Sequence, residues 1–214
     1  MTLTHETEPP ERSAARATGA NTFTKPKKEN RMTRDELNQS LIDASRAGDA
    51  EEVKLLLELG ADVNARNRDA LRSASYHGQT GVVELLLAAG ADIHALDDHA
   101  LRSASERGHA KVVELLLDAG ADIHALDDHV LRSASERGHD EVVKILLAAG
   151  ADIHECDDYA LRYASLRGRA EVVKVLLKSG ADAGARDDYA LRMAVEYGHD
   201  EVIKILTNWK GANK

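Results

Sequence analysis

The chain has 214 residues, 43% of them hydrophobic but only 3% aromatic, and its formal net charge is -9. A surface of this sign repels a phosphate backbone, which proteins bind through Lys and Arg, so the composition argues against a nucleic-acid partner. A single cysteine leaves no internal disulfide and fits a reducing compartment. No apolar run approaches the roughly 18 residues of a membrane span, and we therefore expect a soluble, cytoplasmic protein without a membrane partner.

The first 32 residues differ in composition from the rest of the chain. They contain all three prolines and six Lys or Arg against four Asp or Glu. Because apolar periodicity is missing here, residues 1–32 are predicted to form a disordered tail. The basic residues Lys25, Lys27 and Lys28 allow two interpretations: a signal for nuclear entry or docking, or a solvated charge run, which is commoner for so short a segment.

From residue 37 onward the sequence repeats itself every 30 residues without an insertion. One position of the repeat holds Leu41, Leu71, Leu101, Leu131, Leu161 and Leu191, and another holds Gly48, Gly78, Gly108, Gly138, Gly168 and Gly198. A fixed period between about 20 and 50 residues is typical of a solenoid, in which each unit buries its apolar face against its neighbours. We therefore predict a repeat domain over residues 33–214, with repeats at 37–66, 67–96, 97–126, 127–156, 157–186 and 187–214.

The third repeat, residues 97–126, contains two helices by pattern. Asp98 is predicted to cap the first helix, which covers residues 99–106 and ends before Gly108, a residue suited to a left-handed helix end. The second helix is predicted over about residues 110–119. Its Val and Leu side chains cover most of its circumference, so we expect it to be largely buried between its neighbours.

Three motifs of this repeat resemble the ankyrin repeat family. They are Leu-x-x-Ala-x-x-x-Gly-His at 101–109, Val-Val-x-Leu-Leu-Leu at 112–117 and Gly-Ala-Asp-Ile at 120–123. The resemblance covers residues 37 to about 209. It implies an all-α, helix-turn-helix-loop solenoid that binds partner proteins along a concave face and has no cofactor, metal or active site.

The repeats also depart from the usual ankyrin pattern. The usual unit has 33 residues and opens with Thr-Pro-Leu-His, whereas these units have 30 residues, the array contains no proline, and Ala-Leu-Arg stands in that place. The missing residues are expected to shorten the loop that otherwise projects as a β-hairpin. Such shortened units resemble the ankyrin arrays of very large DNA viruses that infect amoebae.

Adjacent acids recur at Asp97-Asp98, Asp127-Asp128, Asp157-Asp158 and Asp187-Asp188. In another context such pairs serve acid-base catalysis or bind a divalent cation. Here they are copies of one another, whereas a catalytic pair needs two groups in different environments. We favour a structural role at a helix start, where an acid complements the exposed N–H groups and Asp98 pairs with Arg102 four residues later.

The histidines form two ladders, one of His94, His124 and His154, the other of His109, His139 and His199. Packed helical layers lie about 8 to 10 Å apart, whereas zinc ligands approach the ion to about 2 Å, so equivalent histidines cannot share a metal. His109 is expected to bond to nearby backbone. Cys156, in register with Leu96 and Leu126, is interpreted as a small apolar replacement and not as a nucleophile.

These observations favour a protein-binding scaffold. One alternative is a structural spacer or self-assembling rod, although the polar substitutions in the terminal repeats indicate a monomer. The other is an enzyme with an unrecognised site, which is disfavoured because solenoids present extended surfaces and not enclosed pockets.

The partner-binding site is predicted on the first helices of the fifth and sixth repeats. Tyr159, Tyr163 and Leu166 are spaced four and three residues apart, which places them on one helix face. Tyr189 and Met193 follow in the sixth repeat, with Tyr197 beside them, and Tyr76 of the second repeat completes the predicted set. Tyr and Met are enriched in binding patches. The competing interpretation is that these tyrosines merely pack against neighbouring helices.

Overall fold

A computed structural model of the chain describes residues 32–212, so the predicted tail and its Lys cluster lie outside the described residues. The described part contains twelve helices and no strand. They are α1 (Arg34–Ala47), α2 (Ala50–Glu58), α3 (Ala65–Tyr76), α4 (Thr80–Ala88), α5 (Ala95–Arg107), α6 (Ala110–Asp118), α7 (Ala125–Arg137), α8 (Asp140–Ala148), α9 (Glu155–Leu166), α10 (Ala170–Lys178), α11 (Ala185–Glu196) and α12 (Asp200–Ala212). None of these helices is both long and apolar enough to cross a bilayer.

Each repeat contributes an odd-numbered first helix and an even-numbered second helix that pack together as a pair. First helices contact the first helices of adjacent repeats, and second helices contact second helices, so the pairs stack into two layers. The contacts between first helices are more extensive than those between second helices. The first helices therefore form one layer of the solenoid and the second helices form the other.

The core lies between these two layers and is made of aliphatic residues at fixed positions of the repeat. In the third repeat Leu101, Val113 and Leu116 are fully buried. The leucines that correspond to Leu101 in the first, second, fourth and fifth repeats are also at most 1% exposed. Leu115 and Leu117 are half-buried. The predicted burial of the second helix is confirmed for Val112, Val113 and Leu116, while its other residues are half-buried or exposed. Small and branched side chains fill this space because the adjacent helices approach closely.

The turn that enters the first helices α5, α9 and α11 differs from the predicted N-cap. Leu96, Asp97 and Asp98 have φ angles of 55°, 55° and 52°, so they form a left-handed turn, and the right-handed helix follows it. The same conformation recurs at 156–158 and 186–188. The N-cap prediction for Asp98 is therefore wrong, because a capping residue accepts from its own helix with an extended backbone.

The predicted pairing of Asp98 with Arg102 is also wrong. Asp98 is only 4% exposed, and its carboxylate accepts a hydrogen bond from the backbone N–H of Asp122 at 2.9 Å, in the loop after the second helix. The Arg102 guanidinium donates instead to the carbonyl oxygens of Leu96 and Asp97, both at 3.3 Å. The Arg of Ala-Leu-Arg therefore satisfies carbonyl groups that the left-handed turn leaves without helical partners.

Two ladders of hydrogen bonds run along the array, the first mostly within repeats and the second between adjacent repeats. In the first, backbone N–H groups in the loops donate to side-chain oxygens 24 or 28 residues earlier, at 2.7 to 3.2 Å: Asp62 to Asn38, Asp92 to Asn64, Asp122 to Asp98, Asp152 to Asp128, and Asp182 to Asp158. In the second, side-chain nitrogens donate to backbone carbonyls 33 residues earlier, at 2.9 to 3.2 Å: Gln79 to Arg46, His109 to Tyr76, His139 to Glu106, Arg169 to Glu136, and His199 to Leu166. The expected backbone bond of His109 is confirmed, and it joins two repeats.

Candidate protein-binding surface

Tyr159 and Tyr163 lie on the first helix α9, one turn apart. Their rings stack with centroids 3.9 Å apart and planes inclined by 10°. Both side chains are half-buried, so each ring has a packed side and an accessible side. Burial and the neighbouring Tyr163 raise the pKa of Tyr159, which keeps its phenol protonated and able to donate a hydrogen bond.

The central member of this surface is Arg162, which is only 5% exposed. Its guanidinium donates to the carbonyl oxygens of Asp157 and Cys156, both at 2.8 Å, within the left-handed turn. The same group lies 5.8, 5.9 and 5.3 Å from the ring centroids of Tyr159, Tyr163 and Tyr189, within cation-π range. Arg162 thereby fixes the positions of three tyrosines from two repeats.

Two further arginines extend this arrangement along the array. Arg132 lies 5.3 Å from the ring centroid of Tyr159, and Arg192 lies 5.9 Å from that of Tyr189. We refer to the six residues Arg132, Tyr159, Arg162, Tyr163, Tyr189 and Arg192 as the tyrosine-arginine cluster. Sequence reasoning missed its arginines, although the recurrence of Leu-Arg every 30 residues was the available signal.

The other predicted site residues do not all join the cluster. Leu166 and Met193 are half-buried on α9 and α11. Tyr197 is 58% exposed and stacks on His199 with centroids 6.5 Å apart. Tyr76 belongs to the second repeat, where the guanidinium of Arg107 lies 4.0 Å above its ring. The structure thus brings together the tyrosines of α9 and the start of α11, and leaves Tyr76 apart from them.

The Cys156 position is exposed, as are Leu96 at 52% and Leu126 at 49%. Interpreting Cys156 as a packing residue is therefore wrong. Its pKa is raised, first by the hydrogen bond with Glu155, which disfavours the reactive thiolate.

A serine-histidine contact in the third repeat has the form of a nucleophile and its base. Ser103 Oγ lies 2.9 Å from His99 Nδ1. Ser103 is only 3% exposed, however, so a substrate cannot reach its hydroxyl. The equivalent Ser133 donates to the carbonyl oxygen of Val130 at 3.2 Å. Burial, followed by Arg102 and Arg72, lowers the pKa of His99, in keeping with a packed histidine beside cations.

The histidines in the loops after the second helices bind acids four residues later, at the start of the next repeat. His94, His124 and His154 each place Nδ1 3.1 or 3.2 Å from a carboxylate oxygen of Asp98, Asp128 and Asp158. The hydrogen bond with Asp128 raises the pKa of His124. Within residues 32–212, no group of three or more His, Cys, Asp and Glu side chains is arranged to hold a metal ion.

Stacked helix pairs that end in glycine turns and are joined by polar ladders define a helical repeat solenoid. The family model described as "Ankyrin repeats (3 copies)" matches residues 19–97, 41–127 and 131–214. The chain therefore belongs to the ankyrin repeat family, whose members generally mediate protein-protein interactions.

Among solved structures, the chain is similar to the human ASB11 ankyrin repeat domain. The two share 30% sequence identity with a TM-score of 0.70, over 79% of this chain and 82% of that one. A comparison with curated protein sequences finds no match.

Proposed function

We propose that this chain is a scaffold that binds a partner protein on the concave face formed by its first helices, with the tyrosine-arginine cluster as the principal contact. Leu166, Met193 and Tyr197 extend this contact, and Tyr76 provides a separate one in the second repeat. The observation that carries the proposal is the half-exposed stack of Tyr159 on Tyr163, held in place by Arg162.

The chemistry of the cluster supports a binding role. Tyr, Arg and Met are enriched among the residues that dominate protein interfaces. The cluster is rigid before a partner arrives, because Arg162 is hydrogen-bonded to two backbone carbonyls and the rings restrain one another. A surface that is already ordered loses less conformational entropy on binding. Packing against neighbouring helices and binding a partner are therefore compatible roles for these tyrosines.

The wider proposal is a monomeric, cytoplasmic protein that binds and does not catalyse. Polar residues are exposed on both terminal repeats, including Glu52 on α2 and Thr207 and Asn208 on α12, beside the exposed Leu55 and Leu59 of the first repeat. Exposed polar residues disfavour end-to-end assembly. Nuclear entry through the Lys cluster of the tail, and a kinship with the shortened viral arrays, remain predictions.

The test exchanges cluster residues for those that the same positions hold in other repeats. A variant with Tyr159→His, Tyr163→Ser, Tyr189→His and Met193→Ser takes the residues of His99 and Ser103, so the fold already accommodates them. Its matched control, Leu55→Ser with Leu59→Ser, removes apolar side chains that are 48% and 58% exposed, the first in α2 and the second directly after it. Circular dichroism and thermal melts confirm that both variants are folded.

Affinity purification with mass spectrometry then compares the proteins retained by each form. We expect partners that the wild type and the α2 control retain and the cluster variant loses. Equal retention by a folded cluster variant would disprove the assignment. Sedimentation velocity at rising concentration tests the rod alternative, which predicts growing assemblies where we expect a constant monomer.

A further inference from the structure

A polar groove lies beside the turns that join the first and second helices of the central repeats, outside the tyrosine-arginine cluster. One cavity of about 450 Å³ is lined by residues that include Glu106, His129, Glu136, Arg167 and Arg169. A second cavity of about 260 Å³ adds Arg107 and shares three of the lining residues. The two cavities therefore form one continuous groove across three repeats.

The groove has the opposite charge to the chain as a whole. Four arginines line it, at Arg107, Arg137, Arg167 and Arg169, against two glutamates, Glu106 and Glu136. The formal net charge of the chain is -9. A basic groove on an acidic protein directs negatively charged ligands to that one place, because the surrounding acidic surface repels them.

Both glutamates of the groove already have partners. Glu106 forms an ion pair with Arg137 of the next repeat, and Glu136 accepts from Arg167 Nη2 at 2.7 Å and Nε at 3.0 Å. Among the side chains that the structure describes, no carboxylate forms an ion pair with either of the remaining two arginines. Arg107 stacks on the ring of Tyr76, and Arg169 donates from Nε to the carbonyl oxygen of Glu136 at 3.0 Å.

His129 forms part of the groove wall. Its Nδ1 atom is buried and has no hydrogen-bond partner among the described residues. Burial is the first cause that lowers the pKa of His129, followed by Arg102 and Arg132. A neutral imidazole adds no charge to the wall, so the positive charge of the groove comes from its arginines.

We propose that this groove binds an extended acidic segment of the partner protein, one that carries at least two Asp or Glu side chains. The carboxylates pair with the guanidinium groups of Arg107 and Arg169, which are held in place by the ring of Tyr76 and the carbonyl of Glu136. Guanidinium and carboxylate groups form strong, geometrically matched hydrogen bonds. The inference rests on the proposed scaffold function, which it refines by naming the chemistry of the partner.

The experiment measures the anisotropy of a fluorescein-labelled octaglutamate peptide titrated with the full chain at low salt. The test variant combines Arg107→Ala with Arg169→His, because Ala47 occupies the first position in the first repeat and His139 occupies the second in the fourth. The exchanged His keeps a ladder donor while removing a charge at neutral pH. The control, Lys178→Gln with Lys204→Gln, makes the same change in net charge on the exposed faces of α10 and α12.

We expect saturable binding that the groove variant weakens by about tenfold, that the lysine control leaves unchanged, and that salt reduces. Equal weakening by both variants, or no saturable binding by the wild type, would overturn the inference. Tighter binding of a labelled single-stranded oligonucleotide than of octaglutamate would overturn it in favour of nucleic acid. The cluster variant of Tyr159, Tyr163, Tyr189 and Met193 should still bind octaglutamate, so failure of the tyrosine site and failure of the groove give different results.

Discussion

At the scale of single residues, the contact between repeats depends on a glycine and the side chain above it. Gly108 ends α5 with a φ of 78°, and a Cβ atom there would lie 2.5 Å from Nδ1 of His139. His139 donates from Nε2 to the carbonyl oxygen of Glu106 at 3.0 Å, so its ring cannot move away without losing that bond. Gly108 is thus required twice, for its backbone angle and for the space it leaves.

Gly120, which follows α6, meets only the first of these requirements, the one for a left-handed backbone angle. Its φ is 97°, but no atom lies within 4 Å of a Cβ placed there. Gly120→Ala should lose about 1 to 2 kcal/mol of unfolding free energy, through left-handed backbone strain alone. Gly108→Ala should lose a further 1 to 3 kcal/mol, because the added methyl displaces His139. Urea melts of both variants measure the difference.

A double-mutant cycle locates that difference at His139. In a His139→Ala background the extra loss from Gly108→Ala should vanish, since the methyl group then meets no ring. If Gly108→Ala and Gly120→Ala prove equally destabilising in the wild-type background, the ladder contact contributes nothing beyond the glycine angle.

At the scale of elements, the left-handed turn is the feature that sequence reasoning could not supply. Gly and Pro mark most turns, but Leu96, Asp97 and Asp98 are none of these, and three consecutive left-handed residues other than glycine contradict local preference. The interactions that hold the turn come from elsewhere. Asp98 binds the loop at Asp122, and Arg102 binds two turn carbonyls. Only the three-dimensional structure shows both.

The helices, by contrast, follow from sequence because their signals are local. The apolar spacing and the terminal glycines of the third repeat predicted a second helix over about residues 110–119, and α6 spans Ala110–Asp118. Part of the candidate site could be predicted, because helical spacing placed Tyr159 and Tyr163 on one face. The position of the buried Arg162 could not be predicted, because it depends on carbonyl groups of the left-handed turn. The basic groove was not predicted, since its arginines come from the turns of three repeats.

The strain of the turn leads to a prediction about Asp97. This residue is exposed and has φ 55° and ψ 59°. Glycine adopts that conformation without a Cβ clash, so Asp97→Gly should raise the free energy of unfolding by about 0.5 to 1 kcal/mol. Glu84→Gly makes the same charge change at an exposed position in the middle of α4, where it should instead lose about 1 kcal/mol. Chemical denaturation of both variants reports the two signs, and a destabilised Asp97→Gly protein would show that the turn is not strained.

At the scale of the whole molecule, stability in a stacked array depends on neighbours. Each helix pair contacts only the pairs beside it, so a central repeat has two interfaces and a terminal repeat has one. Leu41 in α1 and Leu131 in α7 allow a fair comparison, since each is 1% exposed. An argument from burial alone predicts that truncating either side chain has the same effect on stability.

The array predicts unequal effects. Leu131→Ala leaves a cavity in a repeat that has a neighbour on each side. Because unfolding of a central repeat would divide the array in two, the full loss of about 2 to 5 kcal/mol should appear in the free energy of global unfolding. Leu41→Ala weakens a repeat that can unfold by itself while the other five stay folded, so its effect on global unfolding is limited to the coupling energy of that single interface. Denaturant melts should therefore show the larger loss for Leu131→Ala. Hydrogen exchange should show loss of protection confined to α1 and α2 for Leu41→Ala. Equal losses in the melts, or exchange that spreads evenly through all repeats in the Leu41 variant, would mean that the six repeats unfold as one cooperative unit.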